Sequence, residues 1–522
     1  MRLHRLLSWA FAALAVGGCV VAAQASAKGS AARAAGSKAS KAKPTLTLGL
    51  TTAPISYDPS KVDSDPFDET VMSLIYAPLI HQNPDGSFSP GLATSWRYVG
   101  KGNKTFRLTL RHNAAFSDGT PVTASAVKSW LLYFPKAKGS LSSMLAVNSI
   151  STSGKWTVTI HLKSANPLAA TILSEAFVWG YVGSPKAVSN PSVFTHGGDG
   201  AGPYELESSA TVSGNKYTFV PNPHYYDPST VRFGKVVVEI ISSPSSMLAA
   251  AQTGQVEVAQ GDATTASAAK GNGLTVVAKP TGNAAFVFLD MTGKLVPALA
   301  NVKVRQALNY AINRKAIAQA LLGSYGQATS EYLTPDGFDT KYQDHYPYDP
   351  AKAKSLLAAA GYANGFSMNI LSDTFEGTLG DPITQAVSQD LANVGVQAKV
   401  VGEPSASAYG SAIGSGTYPA FELDYGGDPS SLHYGFYLAP KAPFNQQGFD
   451  DPVLDKIWAA AQTATPAKAA ADWLAMSDRE VNQAEMLPVL ETDSIWYVSK
   501  KIGGVNFSSS AVNPFPTEWF EK

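Results

Sequence analysis

The side chains from which this chain could assemble catalysis or metal binding are eight histidines, one cysteine and 40 carboxylates. His4, His81, His112, His161, His196, His224, His345 and His433 are scattered, and none has a second histidine three or four residues on, so no local metal pair forms. Cys19 stands alone, which excludes an internal disulfide and a cysteine-based zinc site. There is no G-x-x-x-x-G-K-[ST] phosphate loop, no G-x-G-x-x-G after a strand, no G-x-S-x-G elbow and no H-E-x-x-H helix. Carboxylates distant in sequence can still meet in space, so a glycosidase-type acid pair stays open. Recognition surface is abundant by comparison: nine Trp, 22 Tyr and 22 Phe. Most of these belong to a core, but a minority lining a cleft would suit holding a ligand rather than transforming it.

The elements that position such residues are bounded by length and composition. A chain of 522 residues has room for two to four lobes. With 45 % hydrophobic and 15 % charged residues it is neither disordered, nor collagen-like, nor a polytopic membrane protein. Formal net charge is zero, but residues 1–43 hold seven basic residues and no acidic one, leaving 33 basic against 40 acidic from Pro44 onward. A body of charge −7 is a poor partner for nucleic acid. Arg2, His4 and Arg5 precede the apolar run Leu6 to Val16, the n- and h-regions of a secretory signal. Val16-Gly17-Gly18-Cys19 resembles a bacterial lipobox, which makes 1–18 a lipoprotein signal peptide and Cys19 the lipidated N-terminus; the alternative is cleavage after Ala23-Gln24-Ala25. Both readings export the protein. Residues 23–43 contain only Ala, Gln, Ser, Lys, Gly and Arg, too little apolar surface to offset ordering, so 19–43 reads as a disordered tether.

The body alternates strands and helices. Thr45-Leu46-Thr47-Leu48 alternates as a strand, as do Phe106, Leu108 and Leu110; Trp156, Val158, Ile160 and Leu162; Tyr217 and Phe219; and Val236, Val238 and Ile240. Thr123 caps a helix with the face Ala126, Val127, Trp130 and Leu131. A helix over Met247 to Gln252 is stopped by Gly254 and followed by a strand Val256-Glu257-Val258. Val304, Ala307, Leu308, Ala311 and Ile312 fall on one helical face, and Asn313 caps the next helix. Asp349-Pro350 gives an N-cap with proline at the first helical position, and Asp381-Pro382 reads as the same device. Val396 to Val400 follows Gly395 as a strand. This mixture over more than 450 residues predicts an α/β protein of more than one lobe.

A set of ordered motifs carries a resemblance. Leu92-Ala93-Thr94-Ser95-Trp96, Thr105 to Arg111 and Phe116-Ser117-Asp118-Gly119-Thr120-Pro121-Val122-Thr123-Ala124 come first. Gly200-Ala201-Gly202-Pro203-Tyr204, Asn222-Pro223-His224-Tyr225-Tyr226 and Leu248 to Glu257 follow. Asn301 to Arg314 and Tyr348-Asp349-Pro350 through Gly361-Tyr362 complete the set. Together, over about 45 to 510, they resemble the bacterial extracellular solute-binding proteins of family 5, the peptide and nickel binders of ABC importers. Most of these motifs are turn and cap chemistry, so they identify the scaffold more than the ligand.

The resemblance implies an α/β, two-lobed periplasmic-binding-protein-like fold of the large peptide-binder type. Lobe I would be 44–282 with 489–522, carrying an extra subdomain at 85–200, and lobe II 283–488. It implies a monomeric solute receptor, not an enzyme and without cofactor or metal. The partners would be a peptide or other small-molecule ligand and the permease and ATPase subunits of an importer, with membrane contact through the N-terminal lipid. A secreted carbohydrate-active hydrolase and a surface sensing or adhesion protein are the rival classes. Peptide-binding relatives carry a W-x-x-D-x-x-D-P segment in lobe II; here the stretch is Phe421-Glu422-Leu423-Asp424-Tyr425-Gly426-Gly427-Asp428-Pro429, without the tryptophan. Asp424 reads equally as an anchor for a peptide ammonium or as a turn carboxylate, with Tyr425 beside it as an aromatic wall and Gly426 leaving the backbone approachable. Asp428 reads first as a turn or helix initiator and second as a ligand contact. Asp65 lies where relatives line the cleft after the first strand, or starts a capped helix, and Tyr332 lies in a loop facing the cleft.

Overall fold

The computed structural model describes residues 43–522 apart from 63–65, 84, 139, 289, 333, 335, 336, 375–378, 426, 427, 441 and 508–512. Its main sheet runs in the order Val396–Glu403, Phe366–Asp373, Ala420–Tyr425, Thr275–Phe288, Met486–Val498, Val258–Gly261, Thr45–Leu50, Lys235–Ile240, Lys216–Pro221 and Tyr204–Leu206, with Gly326–Ala328 added against Met486–Val498. Thr45–Leu50 lies parallel to both its neighbours. Phe366–Asp373 is likewise parallel to Val396–Glu403 and to Ala420–Tyr425. Between these two parallel sets run two long antiparallel strands, paired from Thr275↔Val498 to Val287↔Met486.

Burial divides along the same line. Leu46, Leu48, Leu50, Trp130, Trp179, Phe219 and Trp519 belong to one core, and Val304, Leu308, Ile370, Ile383 and Phe421 to another. Strand Met486–Val498 serves both: Leu487, Val489 and Leu490 enter the second core, while Trp496 and Val498 enter the first. The molecule is therefore a two-lobed α/β fold whose lobes are joined by strands rather than by a flexible linker. A separate antiparallel sheet, Ala93–Tyr98, Thr105–Leu110, Thr157–Leu162 and Val147–Ser153, packs Phe106, Leu108 and Leu110 inward as their alternation predicts.

Local chemistry explains the element ends. The Thr123 hydroxyl accepts from the Ala126 N–H at 3.3 Å, starting helix Ala124–Tyr133, whose Trp130 and Leu131 are fully buried. Asn313 and Asp349 cap Arg314–Leu321 and Pro350–Ala359 in the same manner. Two expectations need correcting. Asp381 is not a cap: its helix begins at Gly380, which leaves Asp381 in the first turn and Pro382 third, still among the positions whose N–H has no intrahelical acceptor. The strand expected over Val256–Val258 begins at Val258, because the N–H groups of Gln255 and Val256 are drawn to the Ala250 carbonyl at the end of helix Pro244–Thr253.

The family-like motifs are also structural joints. Arg305 donates to the carbonyls of Leu299, Gln483 and Ala484, and Arg314 to those of Asn309, Tyr346 and Pro488. Both guanidiniums are buried and satisfied by backbone, which fastens Val302–Ala311 and Arg314–Leu321 to the start of the long strand Met486–Val498.

Candidate ligand cleft

The strand registers locate the cleft. In the first lobe the carboxyl end of Val258–Gly261 lies opposite Ile495, which pairs with Ala278. In the second lobe the carboxyl end of Ala420–Tyr425 brings Tyr425 opposite Asn283 and Asp424 opposite Ala284. The carboxyl ends of the two parallel sets therefore face one another across Ala278 to Asn283 of a single strand, roughly 16 Å. In open α/β sheets, ligands bind off the carboxyl ends of the strands. The joining strands carry register shifts between Pro280 and Gly282 and between Ala284 and Ala285, so regular pairing is broken twice where the lobes meet.

On the first-lobe side, the chain leaving Thr45–Leu50 forms one wall of a cavity of about 390 Å³, with Pro54, Tyr57, Asp58, Phe194 and Tyr217 among its lining. Asp58 is buried and held: its carboxylate accepts from the Ser60 N–H at 3.0 Å, the Ser60 hydroxyl at 2.6 Å and the Tyr133 hydroxyl at 2.7 Å. It therefore fixes the loop rather than offering itself to a ligand. Asp65 lies outside the described residues.

On the second-lobe side, Asp424 and Tyr425 end strand Ala420–Tyr425, and Gly426 lies outside the described residues. Asp428 is buried and Pro429 caps the short helix Ser430–His433, which runs into a single π turn, Tyr434–Leu438. Burial pushes the Asp428 carboxyl up to about 7, opposed in part by His433. Tyr332 is buried too, its ring 4.5 Å from that of His433. His433 pairs through Nε2 with Glu480 at 3.0 Å. Beside them burial lifts Glu331 to about 7, against the pull of the Ser477 hydroxyl and the Asp339 N–H. Asp428 and Tyr332 thus meet around His433.

Charged groups also mark the junction. Burial pulls the Lys279 ammonium down and pushes the Asp493 carboxyl up. Burial also raises Glu491, offset by the Gln327 amide bonded to it at 2.6 Å. Across the cleft the lobes touch. The Asn103 side-chain amide donates to the Gln462 carbonyl at 3.0 Å and the Ala464 carbonyl at 3.2 Å, and Leu432 and Phe436 pack against the first lobe's core. Sequence reading missed Asn103, Glu331 and His433. Asn103 had one signal, the turn Gly100-Lys101-Gly102-Asn103 between two alternating strands; the other two carry none, because burial of an isolated charged residue has no local signature.

Among the described residues, no three His, Cys, Asp or Glu side chains are grouped to hold a metal ion. The model of the bacterial extracellular solute-binding proteins, family 5 (Middle), matches residues 87–445. The chain belongs to this family. The glutathione-binding protein GsiB of Salmonella paratyphi A is 28 % identical to this family 5 chain over 350 residues. The match spans 65 % of each, so the chain covers just under two thirds of that relative's length. The solved structure of AgaA with agropinic acid from A. tumefaciens R10 is similar at a TM-score of 0.76 and 23 % identity, covering 92 % of this chain and 99 % of that one. The murein tripeptide binding protein MppA of Escherichia coli gives 0.73 and 23 %, covering 92 % and 98 %. At these identities the two structures bear on the fold alone.

Proposed function

We propose that this chain is the solute receptor of an ABC importer. It captures a peptide, or a similar small solute with a free ammonium group, between its lobes and delivers it to a membrane permease driven by partner ATPases. The carrying observation is the register that sets Asp424 and Tyr425 at a strand end facing the carboxyl ends of the other lobe's strands. A carboxylate there can accept from an ammonium in a cleft emptied of water, and an aromatic neighbour can wall the ligand. GsiB, named as a binder of glutathione, supports a peptide over other solutes. Lobe I is taken as 44–282 and 489–522 with a subdomain at 85–200, and lobe II as 283–488. The protein acts as an exported monomer tethered through a lipid on Cys19, with Asp65, Gly426 and Asp428 at or near the ligand.

Mass spectrometry of the molecule that co-purifies identifies a ligand; calorimetry with its free and N-acetylated forms then tests the anchor. Asp424→Asn should weaken the free form by roughly ten- to 150-fold, the equivalent of a charge-assisted hydrogen bond, and change the acetylated form little. Equal affinities in all four combinations remove Asp424 from the site. Turnover of the ligand overturns the receptor reading.

A further inference from the structure

The first lobe has a second cavity at the end of its sheet remote from the cleft. Tyr204 pairs with Pro221, and Asn222 bonds back to the Pro203 carbonyl, beside the starts of Thr45–Leu50 and Lys235–Ile240 rather than their carboxyl ends. That end is about 17 Å along the strand from the cleft side. Here a cavity of about 300 Å³ opens among the end of helix Pro66–Ile75, strand Ile80–Gln82, the Tyr225-Tyr226 turn and the C-terminal turn Pro516–Glu518.

Five tyrosines line it: Tyr76, Tyr181, Tyr204, Tyr225 and Tyr226. The hydroxyls of Tyr76 and Tyr204 are engaged with the carbonyls of Tyr57 and Phe233, so these two residues have little donor capacity left for an occupant. Three carboxylates line it as well: Glu175, Asp227 and Glu518. Among the described residues neither lysine nor arginine does, and the one basic group in the lining is His81, set 2.8 Å from Glu175 and 4.0 Å from Glu518. Arg111, which stacks on Tyr226 at 3.9 Å, is not part of the lining. Even with His81 charged, the lining carries a surplus of negative charge.

The decisive group is Glu175, which is 2 % exposed. Its Oε1 accepts from the Gln82 N–H at 3.0 Å and faces His81 Nδ1, while its Oε2 has no hydrogen-bond partner among the described residues. A buried carboxylate oxygen without a donor is unfavourable, and an occupant that brings an N–H removes the penalty. Tyrosine faces attract cations as well. A metal ion is the poorer fit, since it needs several convergent oxygens and no such set forms among the described residues.

We propose that this cavity is a second binding site, independent of the cleft, for the ammonium group of a small primary amine. The probe is n-butylammonium chloride, with n-butanol as its uncharged counterpart, titrated by calorimetry into the full chain. The amine should bind and the alcohol should not. Glu175→Gln keeps an acceptor for Gln82 but removes the charge, and should weaken the amine at least about tenfold. Should that variant fail to fold, Glu518→Gln, at a residue whose side chain is 30 % exposed, should weaken it about two- to tenfold. In crystals soaked with butylammonium, the nitrogen should lie within hydrogen-bonding distance of Glu175 Oε2. The proposal is overturned by equal binding of alcohol and amine, by unchanged affinity in whichever variant folds, by density confined to the interlobe cleft, or by no binding of the amine.

Discussion

Asp428 illustrates how a single residue can set a pH response. Its carboxyl is buried beside His433, and burial raises it to about 7, whereas in the unfolded chain it titrates near 4. Between those values the folded state holds the proton more tightly, so the stability this group contributes is greatest below about pH 4 and is lost as pH rises toward 7. Asp428→Asn removes the titration while keeping shape. In thermal unfolding, the variant's stability relative to wild type should therefore be more favourable at pH 8 than at pH 5, by at most about 3 kcal/mol. A difference that does not move with pH would show that Asp428 is not desolvated. Little of this was legible beforehand. The Asp-Pro pair announces a turn or helix start, and Pro429 does cap Ser430–His433. A charged side chain, however, reads as solvent-facing by default, and the burial of Arg305 and Arg314 comes from chain brought up from far away in sequence.

At the scale of elements, two glycines separate two kinds of constraint. Gly202 lies where a Cβ would come 2.4 Å from the Ile75 carbonyl carbon, and its N–H bonds to the Ile75 oxygen at 2.8 Å. Gly254 ends helix Pro244–Thr253 with φ of 76° and open space around it. Gly202→Ala should destabilise by about 2–3 kcal/mol through the clash, and Gly254→Ala by about 1 kcal/mol through the left-handed backbone. Asparagine should distinguish them in chemical denaturation. It tolerates the left-handed region, so Gly254→Asn should be milder than alanine there, whereas Gly202→Asn should be worse. The opposite ranking would refute both assignments. Element ends of this kind are what sequence displays best, because Thr123, Asn313, Asp349 and Gly254 act on N–H and carbonyl groups only a few residues away. The displaced strand at Val258 and the early start at Gly380 mark the limit. At Val258 the Ala250 carbonyl of the preceding helix claims the N–H groups of Gln255 and Val256, whereas at Gly380 the helix's own bond from the Ile383 N–H to the Leu379 carbonyl sets the early start.

For the whole molecule, α/β composition and more than one lobe were readable from periodicity and length. The strand order was not, because a strand's sequence does not name its partner. The two long strands were the least legible: Thr275–Phe288 holds Pro280 and Gly282, residue types that weaken a strand pattern, yet pairing continues past them through a bulge. Closure is expected to depend on the Asn103 contact. Its backbone is left-handed at φ 51°, so Asn103→Gly removes the amide without straining the turn. Ligand affinity should fall about two- to tenfold, and small-angle scattering of the unliganded variant should give a larger radius of gyration. Unchanged affinity and scattering would dismiss the contact as incidental. Cys19→Ala should release the exported protein from membranes; identical soluble fractions from both forms would refute lipidation. The shared strand Met486–Val498 has a consequence for synthesis. The second lobe's core draws on residues from Met291 to Leu490 and can assemble once that stretch has emerged. The first lobe's core lacks Trp496, Val498 and Trp519 until the chain has passed through the whole second lobe. The half of the protein that is translated first is therefore the half that must wait, with its apolar faces incompletely covered, until the other has been made.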